Sequence, residues 1–338
     1  MKYSHFLLVF FSLMTAYMLI TFTNTDITTK ASYENNRYSN YLTSATKSGM
    51  EEAIANSPTG NLFDQEYKRN LAINSFYKTL ISCFNYDNST MKDLVYYYVP
   101  CVFLIDNNGF YIEYTETYKD SSGYETFSEI ITPINKWGKL YSDSQVSGDK
   151  YYIEYHLDDS ILVTKYDYNN KITTYEGGYK DVYEKLGCPS ALTSILENKQ
   201  SFETEKNEVI ILELTEQMTY YINTHDEFYN QKNDAQYHFT LPQVKDEDWG
   251  RLIDQPTLFA FLQGVQTPYY NGYVNIYALT SAELTEALSY LVEYSDEEQC
   301  YTYHTDTCSL ISTTDNKKTY TMEEATRMNA YPCVYCIH

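Results

Sequence analysis

The segment from Phe6 to Phe22, FLLVFFSLMTAYMLITF, contains no charged residue. Its length is at the lower end of what crosses the hydrocarbon core of a bilayer as an α-helix, about 17 residues. It therefore predicts an export signal or a membrane anchor over residues 1–24. Lys2 and the N-terminus precede the run, which favours a cytoplasmic N-terminus and an extracytoplasmic remainder.

The residues leave open whether this segment is cleaved as a signal peptide or kept as a membrane anchor. Between Ile20 and Ser32 the chain offers no Ala-x-Ala cleavage site, and no cysteine is placed for lipidation. These observations favour an uncleaved, single-pass anchor in the cell membrane over a cleaved signal. A buried core helix at the terminus is the third interpretation.

The sequence after the apolar run predicts a helix that continues away from the membrane. Residues 25–57 are expected to form a helical stalk, and SPTGN at 57–61 ends it because Pro and Gly disfavour helix continuation. A second amphipathic helix is expected from about Phe63 to Phe84. The stalk positions that recur at steps of three and four, the spacing of one helix face, are Tyr38, Leu42, Ala45, Gly49 and Ala53.

The middle of the chain changes to the pattern of strands. Two β-rich runs, within YYYVPCVFLIDNNGFYIEYTETY, surround the turn residues 106–109, where Asn and Gly accept the backbone angles of a tight hairpin. Further strands are predicted at 150–156, 160–168 and 171–175. Helices are predicted between Asp181 and Tyr229 and from Ala282 to Tyr294.

These elements predict an α+β protein. A mixed helix-sheet domain is expected over residues 61–298, and a small tail module over residues 299–338. No repeat and no long low-complexity linker divides the chain.

The charge of the chain disfavours nucleic-acid binding. The formal net charge is −22, spread over many short acidic segments without a basic stripe, so that phosphates are repelled. Tyrosine accounts for 39 of 338 residues. Carbohydrate-binding aromatic platforms are one interpretation of this number, and AT-rich codon usage is the plainer one.

Four of the seven cysteines lie between Cys300 and His338. His304-x3-Cys308 is followed, after twenty-four residues, by Cys333-x2-Cys336. Together the pairs can form a tetrahedral Cys3His shell, which is closed and typical of a structural Zn²⁺ site. The predicted ligands are His304, Cys308, Cys333 and Cys336.

The order of YHTDTCSL, YTMEEA and YPCVYC resembles a small zinc-binding tail on varied bacterial secreted and surface proteins, similar in style to the metal-binding module of the DNA-repair protein Ada. The resemblance covers about forty residues. It implies a structural, zinc-ribbon-like module that is appended to nucleases and non-enzymatic proteins alike, so the activity of the body is not defined by it. His338 follows the second pair almost immediately, and His338 or Cys300 is an alternative to His304 as the fourth ligand.

Disulfides are the alternative to metal in an exported protein. In the tail, the conceivable pairs are Cys308 with Cys333 and Cys300 with Cys336. Cys83 and Cys101 flank a helix-to-strand connection and predict either a disulfide or two buried thiols. Cys188 is expected to be buried and inert.

The sequence contains no recognisable catalytic motif. A Gly-x-Ser-x-Gly elbow, a P-loop, a dinucleotide fingerprint and a His-Glu-x-x-His helix are all missing from it. YHLDDS around His156 and NTHDEFY around His225 place histidine beside carboxylates, but six histidines among many acidic residues make such neighbours common by chance. An enzyme is the less favoured interpretation.

Two functions follow from this organisation. A membrane helix that continues into a stalk and a head resembles pilin-like and Tad-pilus-associated proteins, which implies a structural or assembly component of a bacterial surface apparatus with protein partners. Ordinary prepilin processing is not expected, because no Gly precedes the apolar run and the acidic residue of a type IV pilin is missing.

The alternative is a ligand-binding or sensory domain. VFLIDNNGFYIEYT resembles the strand-turn-strand of extracytoplasmic Cache or PAS-like domains, which also follow a membrane helix and a long stalk. A conventional transmembrane receptor is not expected, since no second membrane helix or output domain follows in the sequence.

Overall fold

The computed structural model describes residues 2–56, 61–85, 89–119, 121, 123, 125–142, 148–167, 169, 171–233, 237–267, 272–282, 290–295, 300–305, 308, 311, 319–320 and 331–332. Over these residues helices and mostly antiparallel strands occur in separate blocks, which confirms the predicted α+β class. The described helices are α1 Lys2–Ala55, α2 Glu66–Phe84, α3 Ser89–Tyr98, α4 Tyr179–Lys185, α5 Ser190–Leu196, α6 Lys199–Asn233 and α7 Asp246–Asp254.

The strands form three sheets, which we call sheets A, B and C. Sheet A has the order β3-β2-β1-β8-β9, sheet B the order β4-β5-β6-β7 and sheet C the order β12-β10-β11-β13. The strands are β1 Cys101–Asp106, β2 Gly109–Lys119, β3 Glu125–Ile131, β4 Gly138–Ser142, β5 Lys150–Tyr155, β6 Ser160–Tyr166, β7 Ile172–Gly178, β8 Thr257–Gln266, β9 Tyr273–Ser281, β10 Tyr290–Ser295, β11 Cys300–Thr305, β12 Thr319–Tyr320 and β13 Tyr331–Pro332.

The predicted hairpin forms the centre of sheet A. Asp106 pairs with Gly109 across the two intervening asparagines. Gly109 has a φ of +148°, and Asp106 accepts backbone hydrogen bonds from Leu62 and Phe63 at 3.2 and 2.9 Å. The turn is therefore tied to the chain segment that enters α2.

One face of sheet A, the α1 face, is covered by α1, α2 and α3. The predicted stalk, residues 25–57, is helical as far as Ala55, but its second half belongs to this core. Gly49 lets α1 lie close to α2 and β8. A Cβ at this position would be 2.9 Å from the Ala72 carbonyl oxygen and 2.7 Å from Leu258 Cδ1. The described apolar side chains of α1 with no exposed surface are Leu42, Ala45, Met50 and Ala53.

The first half of α1 differs from the second in its exposure. Leu13, Tyr17 and Phe22 are 65, 67 and 72% exposed. Over the residues that the structure describes, no helix is both long enough and apolar enough to cross a membrane.

The opposite face of sheet A, the α6 face, packs with sheet B and helices α4 to α7 around a second core. Strand alternation sends Phe103, Ile105 and Phe259 to this face. Tyr179 stacks on Phe202 of α6 with ring centroids 4.2 Å apart. Sheet B contains the strands predicted at 150–156, 160–168 and 171–175, which confirms them.

Two element predictions are wrong. The tyrosines at 96–98 were expected in a strand and end α3 instead. The predicted helix Ala282–Tyr294 is incorrect at its C-terminal end, because Tyr290–Ser295 is strand β10, paired with β11. Sheet C thus includes residues before 299, where the tail module was expected to begin.

Candidate functional site

The described part of the predicted metal site is a histidine and a cysteine in the tail. His304 lies on β11, opposite Leu291 of β10, and is 7% exposed; Cys308 is 8% exposed. Burial lowers the pKa of His304, which favours the neutral imidazole that a metal requires. Both side chains are therefore placed in a shielded part of the tail, as a closed structural site needs.

The backbone register pairs β11, which contains His304, with β13, which comes directly before the second cysteine pair in sequence. Strands β11 and β13 are parallel, with Thr302 opposite Tyr331 and Tyr303 opposite Pro332. Tyr303 directly precedes His304, and Pro332 directly precedes the second cysteine pair in sequence. The predicted ligands Cys333 and Cys336 and the alternative ligand His338 lie outside the described residues, whereas the alternative Cys300 begins β11.

The described residues hold two of the four predicted ligands. Within the described ranges no group of three or more His, Cys, Asp or Glu side chains is arranged to hold a metal ion. A buried histidine followed by a buried cysteine fits half of a Cys3His shell in its donor chemistry.

The cysteines outside the tail are thiols. Cys83 and Cys101 do not form the disulfide that was one of two alternatives, and burial raises the pKa of both. Cys188 is exposed, so the prediction of a buried thiol is wrong. It has a φ of +53° in the turn between α4 and α5, directly after Gly187.

The histidines of the two His-acid motifs make hydrogen bonds within the fold. His156 Nδ1 lies 2.7 Å from Ser160 Oγ, and Asp158 accepts hydrogen bonds from the Ser160 amide and hydroxyl in the same β5–β6 turn. His225 Nε2 lies 2.9 Å from the Tyr97 carbonyl oxygen. Burial lowers the pKa of His225 to about 4, which leaves it neutral and unsuited to acid-base work near pH 7.

A small open pocket lies where β2 meets α6 on the α6 face. Its volume is about 110 Å³. We call it the tyrosine pocket, and its lining includes Tyr114, Glu116, Tyr220, Tyr221, Thr224 and His225. Sequence analysis missed this site because its two halves are about a hundred residues apart and no motif marks either of them.

A buried acidic residue lies on the other side of β2, facing α2 and α3. Glu113 has no exposed surface, and its Oε2 accepts a hydrogen bond from the Tyr77 hydroxyl at 2.9 Å. Among the described residues its Oε1 has no hydrogen-bond partner. Burial raises the pKa of Glu113 to about 8, so the carboxyl is largely protonated at neutral pH.

Comparison of the chain with protein-family models, with curated proteins and with solved structures found no match.

Proposed function

We propose that this protein is a membrane-anchored, extracytoplasmic component of a bacterial surface assembly, in which α1 holds an α+β head at the membrane. The observation that carries this proposal is the division of one continuous helix into two environments. The described apolar side chains between Phe10 and Phe22 are exposed, whereas the last turns of α1 are in the core of the head.

The exposed part of α1 is suited to an apolar surrounding. Leu13, Tyr17, Leu19 and Ile20 are each more than 60% exposed, although such side chains are normally buried. They occupy several sides of the helix, since neighbouring residues differ by about 100° around the axis. A helix that is apolar all round is expected in a protein core or in lipid, and no described element covers this one.

The polar groups that follow are satisfied inside the helix. The hydroxyls of Thr21, Thr23 and Thr25 each donate to the carbonyl four residues earlier, at 2.8, 2.7 and 2.9 Å. Backbone and hydroxyl groups in or near lipid require such internal partners. Among the side chains that the structure describes, the first ion pair is Asp26 with Lys30 at 2.6 Å, which comes after this stretch and suits the start of the aqueous side.

The continuity of α1 gives the anchor a mechanical role. Thr46 Oγ1 and Thr280 Oγ1 lie 3.0 Å apart, and Ser48 Oγ lies 2.8 Å from Ser75 Oγ, so the helix is joined to β9 and α2. The anchor and the head therefore move together, as in the pilin-like proteins that this organisation resembles. Lateral contacts with other proteins of the assembly are the function that such a rigid connection supports.

Cell fractionation tests the anchor. The full chain is expected in the membrane pellet and resistant to carbonate extraction, because the apolar helix is inserted. Leu13→Lys combined with Leu19→Lys should release it, since each buried charge costs about 3 kcal/mol at the centre of a membrane helix. Tyr33→Lys is the matched control, as Tyr33 is 66% exposed beyond the first ion pair. Full-length protein in the soluble fraction would contradict the proposal.

We further propose that the tail binds one structural Zn²⁺ through His304, Cys308, Cys333 and Cys336. The support is the burial of the first pair and the parallel register that joins β11 to β13. When bound, the ion would connect the two ends of the tail and hold sheet C closed, without a role in a reaction.

Metal analysis of the purified full chain tests the zinc site. About one zinc per chain is expected, and replacement of Cys333 and Cys336 by Ser should remove the metal and loosen the tail. Cys188→Ser is the control, because Cys188 is an exposed thiol outside the tail. Metal-free protein with oxidised tail cysteines would show that disulfides close the tail instead.

A ligand-binding function is the second candidate, and one observation favours it. The tyrosine pocket borders β2, the second strand of the hairpin that resembles Cache or PAS-like domains.

A further inference from the structure

The tyrosine pocket has aromatic walls that are inclined to one another. The rings of Tyr114 and Tyr221 have centroids 4.8 Å apart and an interplanar angle of 51°. Tyr220 and Tyr221 lie edge to face at 5.1 Å and 87°. Three rings in three orientations border a small concave space rather than a flat stacking platform.

The charge of the pocket is negative. Glu116 lies at its margin, and the Tyr114 hydroxyl donates to Glu116 Oε1 at 3.1 Å. The described residues that line the pocket include neither Lys nor Arg. His225 adds no positive charge near neutral pH, because burial lowers its pKa to about 4.

These features select a class of ligand. Aromatic faces attract cations through the negative potential of the π-system, and a nearby carboxylate adds a direct charge interaction. An anion would meet Glu116 without a compensating cation among the described lining residues. A volume of about 110 Å³ suits one compact headgroup rather than an extended sugar chain.

We propose that the tyrosine pocket binds the quaternary ammonium headgroup of a small organic cation. Tyr114, Tyr220 and Tyr221 supply the aromatic walls, and Glu116 supplies the counter-charge. The proposal goes beyond the assembly role and does not depend on the membrane anchor or on the zinc site, because it concerns β2 and α6 alone.

The first test compares two ligands of the same shape. Choline and its neutral isostere 3,3-dimethylbutan-1-ol are titrated into the full chain in dodecyl maltoside and followed by calorimetry or ligand-observed NMR. Choline is expected to bind saturably, and the isostere at least about tenfold more weakly, since only the cation gains from the rings and the carboxylate. Equal binding of the two would overturn the proposal, as would no saturable binding of choline.

The second test uses variants with matched exposure. Tyr220 is 61% exposed, so Tyr220→Ala should fold normally and weaken choline binding about three- to tenfold, whereas Tyr220→Phe keeps the ring and the binding. Glu116→Gln should weaken it by a similar factor. Tyr118→Ala is the control, because Tyr118 is 52% exposed on the same strand outside the pocket. Unchanged affinity in Tyr220→Ala and Glu116→Gln would place choline elsewhere and overturn the assignment.

The quaternary ammonium group can belong to a free organic cation or to a lipid headgroup. Glycerophosphocholine, a water-soluble form of the lipid headgroup, is therefore titrated beside choline. Tighter binding of choline identifies a free organic cation as the source, and tighter binding of glycerophosphocholine identifies a lipid. Either result supports the pocket as an ammonium site, provided that Tyr220→Ala weakens it.

Discussion

At the scale of single residues, Glu113 is the clearest departure from a purely apolar core. Tyr77 of α2 donates to it, and the Tyr77 ring stacks on Tyr96 of α3 at 4.3 Å. Burial also raises the pKa of Tyr77, so this hydroxyl remains a donor. The protonated carboxyl of Glu113 therefore joins β2 to α2 directly and to α3 through the Tyr77 ring. The carboxyl remains buried at low cost only while it is neutral.

The titration of Glu113 predicts a pH dependence of stability. Its pKa is about 8 in the folded chain and 4.5 as an ordinary glutamate, so the folded state holds the proton that the unfolded state releases between these values. The free energy of unfolding should fall as the pH rises through this window and level off above about pH 8. The whole shift corresponds to a few kcal/mol, at about 1.4 kcal/mol per pKa unit.

Glu113→Gln should remove this dependence, because an amide stays neutral and its oxygen can still accept from Tyr77. Urea unfolding from about pH 6.5 to 8.5 measures it, and the contribution of burial-lowered histidines such as His225 cancels in the comparison because every variant keeps them. The stability of the variant relative to the native chain should rise with pH. Glu116→Gln, which changes an exposed carboxylate on the same strand, should leave the native slope intact; equal slopes for all three proteins would contradict the assignment.

At the scale of elements, the contact between α1 and α2 depends on the absence of a side chain at Gly49. Alanine usually stabilises a helix by about 1 kcal/mol relative to glycine. At Gly49 the added methyl would collide with the Ala72 carbonyl and Leu258. Gly49→Ala should therefore lower the free energy of unfolding, by about 1–3 kcal/mol, the usual cost of overpacking a core.

Gly250 of α7 is the matched control for this prediction. A Cβ at Gly250 would meet no atom within 4 Å, so Gly250→Ala should raise stability by up to about 1 kcal/mol. Thermal or urea unfolding of the two variants measures both effects. Stabilisation by Gly49→Ala would mean that α1 does not pack as closely on α2 and β8 as the structure shows.

The sequence predicted those elements whose formation depends mainly on residues close together in the chain. The Asp106–Gly109 turn, the strands of sheet B and the helical spacing of Leu42, Ala45 and Ala53 depend on turn chemistry and on short-range periodicity. The segment Tyr290–Ser295 shows the limit, since its neighbours suggested a helix and pairing with β11 makes it a strand.

Features that depend on distant pairing were not predictable from one sequence. Val102 of β1 pairs with Ala260 of β8, and no local pattern encodes that contact. The tyrosine pocket has the same origin, because Tyr114 and Tyr221 meet only after sheet A and α6 are assembled. Cys188 was placed wrongly because its exposure follows from the turn after Gly187, not from its residue type.

At the scale of the whole molecule, α1 contains both the proposed membrane anchor and part of the core of the head. Its exposed apolar residues call for an apolar surrounding, and its buried residues are part of the α1 face. In the function proposed above, a head joined to its anchor by one unbroken helix would keep a fixed orientation to the membrane. Such an orientation is what a protein needs to present one side to neighbours in a surface assembly.

Hydrogen-deuterium exchange of the full chain in bilayer nanodiscs is the sharpest test of the proposed membrane anchor. Slow exchange is expected over Phe6–Phe22, within lipid, and again over Tyr38–Ala53, within the core. The segment between them, from Asp26 to Tyr33, should exchange faster because it is helical but open to water. Exchange over Phe6–Phe22 as fast as over Asp26–Tyr33 would contradict the claim that α1 anchors the head in the membrane.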